Sequence, residues 1–416
     1  MKITFGLKRL LGKGKRGQIK EKWKFDSKTS LLAPPIICDL ANTGQKNIVF
    51  GTNNGKIYSL DKDGAVKWVF DAKEQVDQVE LMFFDVETAN SIQSSPNTYD
   101  LNGDGKKEVV FGSEMGVVYA LNHQGKSLWK FKADGSVRGR VVIKDINNDG
   151  KAEVIFGSGD THLYILSARG ELLQKHEIGA QIESTPETIN EKIIFGCNDG
   201  TIHCITQAGH EIWTFKTEGK VVAQPAIGKI FGDEKNYIVI GSLDHYLYAL
   251  NLEGELVWKF KTDGAIYSRA TLADINRDKK LEIIFGSCDN NVYALQCTGE
   301  KIWSYETDFW IVAPVIVDDI DKDGNLEIIA GSYDHNIYIL DAKGNYMLDY
   351  VPGLSGVMQQ TGSYTDVMTS EPGKVTGKKI WQYQADGVVV GCAFINETKN
   401  IVVNTRPGKV NNLEHE

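Results

Sequence analysis

The sequence predicts an all-β protein, an eight-bladed β-propeller with four antiparallel strands in each blade. Three observations indicate this fold. Nearly the same 45-residue unit recurs along the chain, as in EVIFGSGDTHLYIL ending at Leu166 and LEIIFGSCDNNVYAL ending at Leu295. Each unit holds four short apolar runs separated by turn residues, and no segment has helical periodicity over a useful length. A fixed period of this size is typical of propellers and solenoids, in which neighbouring units together form the core.

Within one unit, the strands and turns follow one another in a fixed order. An extended run at 266–273 is followed by a polar turn at 274–280 and a strongly apolar strand at 281–286. A second turn leads into a strand at 292–295, and a third turn leads into a strand at 301–305. Four short antiparallel strands of this kind form one propeller blade.

A glycine in a Gly-Ser-like step marks each copy. Four of the intervals between copies are 45 residues, one is 39, and two are stretched to 61 and 73. The stretched intervals predict insertions near 71–92 and 345–377, which are functional loops or flexible filler. The marking positions are Gly51, Gly112, Gly157, Gly196, Gly241, Gly286 and Gly331, with Asn404 in a degenerate eighth copy.

The two ends of the chain together predict how the ring closes. NTRPGKVNNL at 404–413 matches GTNNGKIYSL at 51–60, so the last copy ends after its third strand. GQIKEKWKF at 17–25 matches GKSLWKF at 125–131, the fourth strand of another unit. We therefore expect an N-terminal strand to complete the last blade, within one propeller domain at 17–416. Seven blades is the alternative count if the degenerate copy is not a blade.

Composition and charge exclude several classes of protein. A formal net charge of -9 argues against a general nucleic-acid binder. A basic arm at 1–16 is the exception, and it is either a solvated end or a contact for an anionic surface. No apolar run approaches the roughly 18 residues of a membrane span. The six cysteines have no CxxC spacing, which favours isolated thiols.

The sequence also predicts the cellular location and the oligomeric state of the protein. The arm at 1–16 has no apolar core and no cleavage site of a secretory signal, so we expect a cytoplasmic protein. An extracytoplasmic location is the alternative if the calcium loops described next are filled. We expect a monomer without a membrane span.

Four acidic turns carry the most specific chemical pattern in the chain. They read DLNGDGKKE, DINNDGKAE, DINRDKKLE and DIDKDGNLE, with oxygen side chains at positions 1, 3 and 5 and a glutamate at position 9. Such oxygen ligands suit calcium. Hairpin turns whose Asp and Asn bond their own backbone are the alternative. The predicted ligands are Asp100, Asn102, Asp104, Glu108, Asp145, Asn147, Asp149, Glu153, Asp274, Asn276, Asp278, Glu282, Asp319, Asp321, Asp323 and Glu327.

The four acidic turns differ in how well they keep the pattern. The third is the weakest, because Lys279 replaces its glycine. The matching turns at Asp39, Asn190 and Asp233 have lost the pattern and are expected to hold no ion. This asymmetry predicts structural ions that stabilise individual hairpins.

The end of each unit resembles the tryptophan-docking motif of PQQ-type propellers. It reads YALNHQGKSLW at 119–129 and YALNLEGELVW at 248–258. Quinoprotein dehydrogenases and the lipoprotein propellers of outer-membrane assembly share that motif. The acidic turns followed by FGS resemble the calcium loops of FG-GAP and VCBS repeats. The resemblance implies that an outer-strand tryptophan packs on a glycine of the adjoining blade. Gln174 takes the tryptophan's place in the third unit, which predicts a softer junction there.

The resemblance to quinoprotein enzymes implies requirements that this chain does not meet. Those enzymes add an adjacent cysteine pair and an aspartate base, and no cysteine here has a cysteine neighbour. We therefore expect a binding scaffold without catalysis. A PQQ-dependent dehydrogenase, with PQQ as its cofactor, is the enzymatic alternative.

The binding surface is expected on the face around the central channel, where the connections between blades lie. Arginines and aromatic residues in this position suit an anionic or planar ligand or a peptide. The expected partner is a protein, and a glycan or another small ligand is the alternative. The candidate residues are Arg138, Arg140, Glu183, Gln224, Tyr267, Arg269, Phe309 and Trp310.

Overall fold

The computed structural model describes residues 19–72, 90–320, 322–342, 379–395, 400–406 and 408–415. The basic arm at 1–16, the insertion at 345–377 and Asp321 lie outside these residues, as does most of the insertion at 71–92.

The described strands form eight antiparallel sheets of four strands each, which confirms the eight-bladed propeller and excludes seven blades. Blades 1 to 7 take their strands in chain order from β2 to β29, and blade 8 has the order β1-β32-β31-β30. None of the described segments forms a helix that could span a lipid bilayer.

The strand bounds of blade 8 and blades 1 to 3 are β1 Ile19–Asp26, β2 Ile36–Cys38, β3 Asn47–Gly51, β4 Lys56–Asp61, β5 Val66–Asp71, β6 Asn97–Tyr99, β7 Glu108–Gly112, β8 Val117–Leu121, β9 Ser127–Lys132, β10 Val142–Lys144, β11 Glu153–Gly157, β12 His162–Leu166 and β13 Leu172–Glu177. Those of the remaining blades are β14 Glu187–Ile189, β15 Lys192–Gly196, β16 Thr201–Thr206, β17 Glu211–Lys216, β18 Ala226–Gly228, β19 Tyr237–Gly241, β20 Tyr246–Asn251, β21 Leu256–Lys261, β22 Thr271–Ala273, β23 Glu282–Gly286, β24 Asn291–Leu295, β25 Lys301–Glu306, β26 Ile316–Asp318, β27 Glu327–Gly331, β28 Asn336–Asp341, β29 Lys379–Gln384, β30 Val389–Ile395, β31 Asn400–Thr405 and β32 Lys409–His415.

The core lies between blades. One hydrophobic cluster joins Val110 and Val118 of blade 2 to Val154 and Phe156 of blade 3. The middle strands of a blade are buried on both faces, because each blade is covered by two neighbours. The outermost strands alternate between exposed and half-buried positions. This distribution explains why the inner strands are apolar throughout.

The glycine that marks each repeat has a packing reason. The connection to the next blade passes directly over it. A Cβ atom on Gly157 would lie 2.1 Å from Cγ2 of Ile182 in that connection, and one on Gly286 would lie 2.1 Å from Cγ2 of Ile311. Only glycine leaves room for these aliphatic side chains.

Tryptophan docking is confirmed by the structure. The Trp129 ring lies on Gly170 of the next blade, and its Nε1–H donates to the Ala168 carbonyl at 3.0 Å. Four more junctions have the same arrangement. Their pairs are Trp23 with Gly64, Trp68 with Gly125, Trp213 with Gly254 and Trp258 with Gly299.

At the junction after blade 3, where Gln174 predicts a softer contact, another residue supplies the docked ring. Gln174 pairs with Ile165 in the sheet, but the ring that covers Gly209 belongs to His176, two residues further along. The His176 Nε2 lies 3.1 Å from the Gln207 carbonyl oxygen, the equivalent of the acceptor that each tryptophan uses. A smaller ring thus takes the tryptophan's role, because side chains two residues apart share one face of a strand.

The chain ends close the ring as predicted. β1 pairs antiparallel with β32, from Ile19 opposite His415 to Asp26 opposite Lys409. The backbone N–H of Ser27 then donates to the Gly408 carbonyl at 3.0 Å. Asp26 also pairs with the Lys409 ammonium group, and the pKa of this carboxyl group lies well below its usual range because of hydrogen bonds from Lys28 and Lys409.

Candidate functional site

The ring presents two different faces. In an antiparallel blade, the first and third turns lie at one end, and the second turn and the connection to the next blade lie at the other. The acidic turns therefore occupy one face. The connections and second turns form the opposite face, which we name the channel face.

In the acidic turns, the side-chain oxygens bind the backbone of their own loop. Asp100 accepts the N–H groups of Gly103 and Gly105, both at 2.8 Å. Asn102 and Asp104 each accept an N–H two residues further on, again at 2.8 Å. The second and third turns repeat this pattern, as in the acceptance of Gly150 N–H by Asp145 and of Lys279 N–H by Asp274.

The glutamate at position 9 of each acidic turn is buried. Glu108 accepts the backbone N–H of Leu101 at 2.8 Å, and Glu153 and Glu282 bind their own loops in the same way. Burial, with the nearby aspartates as a smaller cause, raises the pKa of Glu108 and Glu153 and raises that of Glu282 to about 7.

The acidic turns fit a metal ion only in part. Within the described residues, no group of three or more His, Cys, Asp or Glu side chains is arranged to hold one. In the fourth turn, however, the Oδ1 atom of Asp319 is buried and has no hydrogen-bond partner. A cation in these loops requires the aspartates to turn from backbone N–H groups towards the ion.

On the channel face, the predicted residues Arg138 and Glu183 are paired with each other, and Arg138 is also paired with Glu114. The Arg138 guanidinium donates to Glu114 at 2.9 Å and 2.5 Å, and to Glu183 at 2.8 Å. Gln93 and Asn198 extend this network with bonds to Glu114 and Glu183 at 3.1 Å. The hydrogen bonds from Arg138 to Glu114 raise the pKa of the guanidinium. This part of the face is polar and internally paired.

A second group of predicted residues meets at the channel. The Arg269 Nη2 lies 3.5 Å from Oε2 of Glu187, and the Gln224 amide donates to the same oxygen at 3.0 Å. Arg140 donates from Nη2 to the amide oxygen of Asn97 at 2.9 Å. Blades 2 to 6 each contribute one of these residues, so the group spans the channel rather than one blade junction.

The remaining predicted residues, Tyr267, Phe309 and Trp310, are exposed aromatic side chains, and together with Tyr333 we define them as the aromatic patch. The first three are 44%, 43% and 43% exposed. The rings of Phe309 and Trp310 stack with centroids 5.0 Å apart, and Trp310 lies 6.4 Å from Tyr333. Arg406 covers the Tyr333 ring at 5.9 Å. The two connections that flank blade 6 and the second turn of blade 7 bring the patch together.

Six members of these groups were not among the predicted residues, namely Gln93, Asn97, Glu114, Glu187, Asn198 and Tyr333. Glu187 stands in the first strand of blade 4, where the aligned copies have Val142 and Thr271. Glu114 and Tyr333 each follow the serine of a second turn. The departure of Glu187 from its aligned neighbours was a usable signal, whereas the position of Glu114 and Tyr333 differs in almost every copy, so only the structure shows which groups they contact.

The described cysteines offer no activated thiol. All six are free, and burial raises their pKa values, to about 11 for Cys38 and about 12 for Cys392. A catalytic thiol needs a lowered pKa.

Comparison with known proteins agrees with this architecture. The crystal structure of BamB from Moraxella catarrhalis is similar over 95% of this chain and 97% of that one, with a TM-score of 0.63 and 16% sequence identity. The computationally designed Ika8 protein is similar over 94% of this chain and 99% of its own, with a TM-score of 0.66 and 14% identity. At such identities these likenesses establish the fold alone.

None of the curated proteins matches the chain. A family model described as the lambda-carrageenase β-propeller domain matches residues 92–181, 186–262 and 249–352, which together are more than half of the chain. The chain therefore belongs to the family of the lambda-carrageenase β-propeller domain.

Proposed function

We propose that this protein is a non-catalytic scaffold that binds a partner protein through the aromatic patch on its channel face. The observation that carries the proposal is the stack of two large exposed rings, Phe309 and Trp310, beside Tyr333. The other exposed apolar side chains of the described residues lie singly or in pairs, on outermost strands as with Leu128 and Leu172, or on β6 in the case of Tyr99. Tyrosine and tryptophan dominate the binding energy of many protein interfaces, and an exposed apolar patch of this kind is typical of an interaction site.

The charges beside the patch indicate the chemistry of the partner. Arg406 lies over Tyr333, and Arg269 follows Tyr267 by two residues. A complementary surface brings apolar side chains to the rings and acidic side chains to the arginines, since opposite charges at the rim favour correct encounter. We therefore expect a partner with an apolar segment flanked by aspartate or glutamate.

The test compares Trp310→Ala with Leu128→Ala, a control that removes an equally exposed apolar side chain from β9. Proteins captured by each variant are quantified by mass spectrometry, and the leading candidate is then titrated as a purified protein. We expect the wild type and Leu128→Ala to bind it equally, and Trp310→Ala to bind at least about tenfold more weakly. Equal binding by all three proteins would refute the patch as the interface.

A glycan is the second candidate ligand, and the geometry of two rings favours it. Phe309 and Trp310 are inclined by only 24° and present an extended aromatic surface, on which a sugar ring could stack. The family is also named for lambda-carrageenase, an enzyme that acts on a polysaccharide. A glycan array probed with the wild type and Trp310→Ala separates the candidates, because glycan binding that Trp310→Ala loses supports this one.

Calcium in the acidic turns is part of the proposal, as a structural ion. Its support is the fourfold oxygen pattern and the unpartnered carboxylate oxygen of Asp319. Backbone N–H groups now occupy most of the other aspartate oxygens, so the ion would have to compete with these bonds.

A further inference from the structure

Of two arginines at the channel, Arg269 is paired with a carboxylate and Arg140 is not. Glu187 is engaged through both oxygens. Its Oε2 receives Gln224 at 3.0 Å and lies 3.5 Å from Arg269, and its Oε1 accepts the backbone N–H of Thr188 at 3.2 Å. The Glu187 charge is therefore already committed to Arg269.

Arg140 has no such partner. Its Nη2 donates to a neutral amide oxygen, that of Asn97, and its Nε is buried without any acceptor in the described part of the chain. The charges that act on Arg140 are those of Arg269, which repels it, and Glu187, which attracts it. Burial and the charge of Arg269 both lower the pKa of Arg140. Arg269 has a carboxylate partner, whereas no carboxylate within the described residues is hydrogen-bonded to Arg140.

An unpaired and partly buried charge is costly unless an opposite charge and hydrogen bonds satisfy it. Guanidinium groups bind oxyanions through paired, charge-assisted N–H bonds, and Arg140 retains N–H groups for this purpose. We propose that the channel binds an oxyanion, a carboxylate, sulfate or phosphate group, between Arg140 and Arg269.

Inorganic sulfate and sodium acetate are the probes, and sodium chloride at matched ionic strength is the reference. Isothermal titration and thermal melting of the full chain measure binding. We expect at least one of the two anions to bind the wild type and to raise its melting temperature above the chloride reference. A response to sulfate alone indicates a tetrahedral group, and a response to acetate alone indicates a carboxylate. A response to neither would overturn the proposal.

Three substitutions locate the site. Arg269→Gln should weaken binding of the anion about tenfold, because it removes one charge-assisted partner. Arg169→Gln, an exposed arginine in a turn on the other face, should leave the affinity unchanged. Glu187→Gln should strengthen binding about threefold or more, because it removes the carboxylate that competes with the anion.

Because Arg269→Gln should weaken anion binding and Glu187→Gln should strengthen it, the test does not depend on whether a variant misfolds. A misfolded variant loses affinity, so tighter binding by Glu187→Gln has no such explanation. Equal loss in Arg269→Gln and Arg169→Gln, or weaker binding by Glu187→Gln, would contradict the site. Trp310→Ala should retain the anion, which separates this inference from the proposed partner interface.

Discussion

A docked ring joins neighbouring blades at six places in the described structure, and after blade 3 that ring is His176. Imidazole buries less area than indole, so this junction should be the softer one. We expect Trp129→Ala to lower the free energy of unfolding by about 3 kcal/mol and His176→Ala by about 1 kcal/mol. Urea unfolding curves measure both changes.

Gln174→Ala is the matched control for this comparison, because Gln174 occupies the tryptophan's position in the alignment without its role. We expect it to change stability by less than about 0.5 kcal/mol. If His176→Ala costs as much as Trp129→Ala, the junction after blade 3 is not softer.

The raised pKa of Glu282 predicts that the free energy of unfolding depends on pH. Its side chain is 2% exposed, and burial raises its pKa from 4.5 to about 7. Between these values the unfolded chain releases a proton that the folded chain keeps, so the unfolding free energy falls as the pH rises from 4.5 to about 7. The Glu282→Gln variant should lack this contribution to the fall in unfolding free energy. Urea unfolding at a series of pH values, with a chelator present, measures the difference.

Glu300→Gln is the control, because Glu300 is exposed in the third turn of the same blade. It should leave the decline unchanged. A Glu282→Gln variant that follows the wild-type curve over this range would show that Glu282 does not cause it.

At the scale of the element, the acidic turns carry the calcium prediction. We expect calcium to raise the melting temperature by several degrees relative to chelator, because an ion that binds only the folded state stabilises it. Asp145→Ala should reduce that increase, and Asp233→Ala, in a turn without the pattern, should not. Differential scanning calorimetry measures all three. Equal melting temperatures with calcium and chelator would exclude the ion.

The element scale also shows how far a sequence can predict this protein. Positions that repeat in most blades, such as Gly157 and Trp129, revealed the strands and the junctions, because the same packing selects the same residue at most of them. The ring of His176 was missed because its role moved by two residues. The pairing of Glu187 with Arg269 joins blades 4 and 6, and an alignment of repeats contains no information on such contacts.

The whole molecule depends on the pairing of its ends. β1 supplies the outermost strand of blade 8, and an unpaired β32 would expose a strand edge. We expect removal of residues 1–26 to lower the melting temperature and cause aggregation, whereas removal of 1–16 should leave both unchanged. Thermal melting and size-exclusion chromatography report the two outcomes. A stable, monomeric product lacking 1–26 would show that closure by β1 is dispensable.

This closure sets the order of events during synthesis. β1 leaves the ribosome before all other described strands, but its partner β32 is the last of them to emerge. The interior of blade 7 likewise remains open until Val389 and Val403 arrive to cover it. During most of translation, β1 therefore has no partner strand, and the blades already synthesised form an open arc whose two ends are uncovered. The ring can therefore close only after β32 has been synthesised, and the pairing of β32 with β1 is the last step of its assembly.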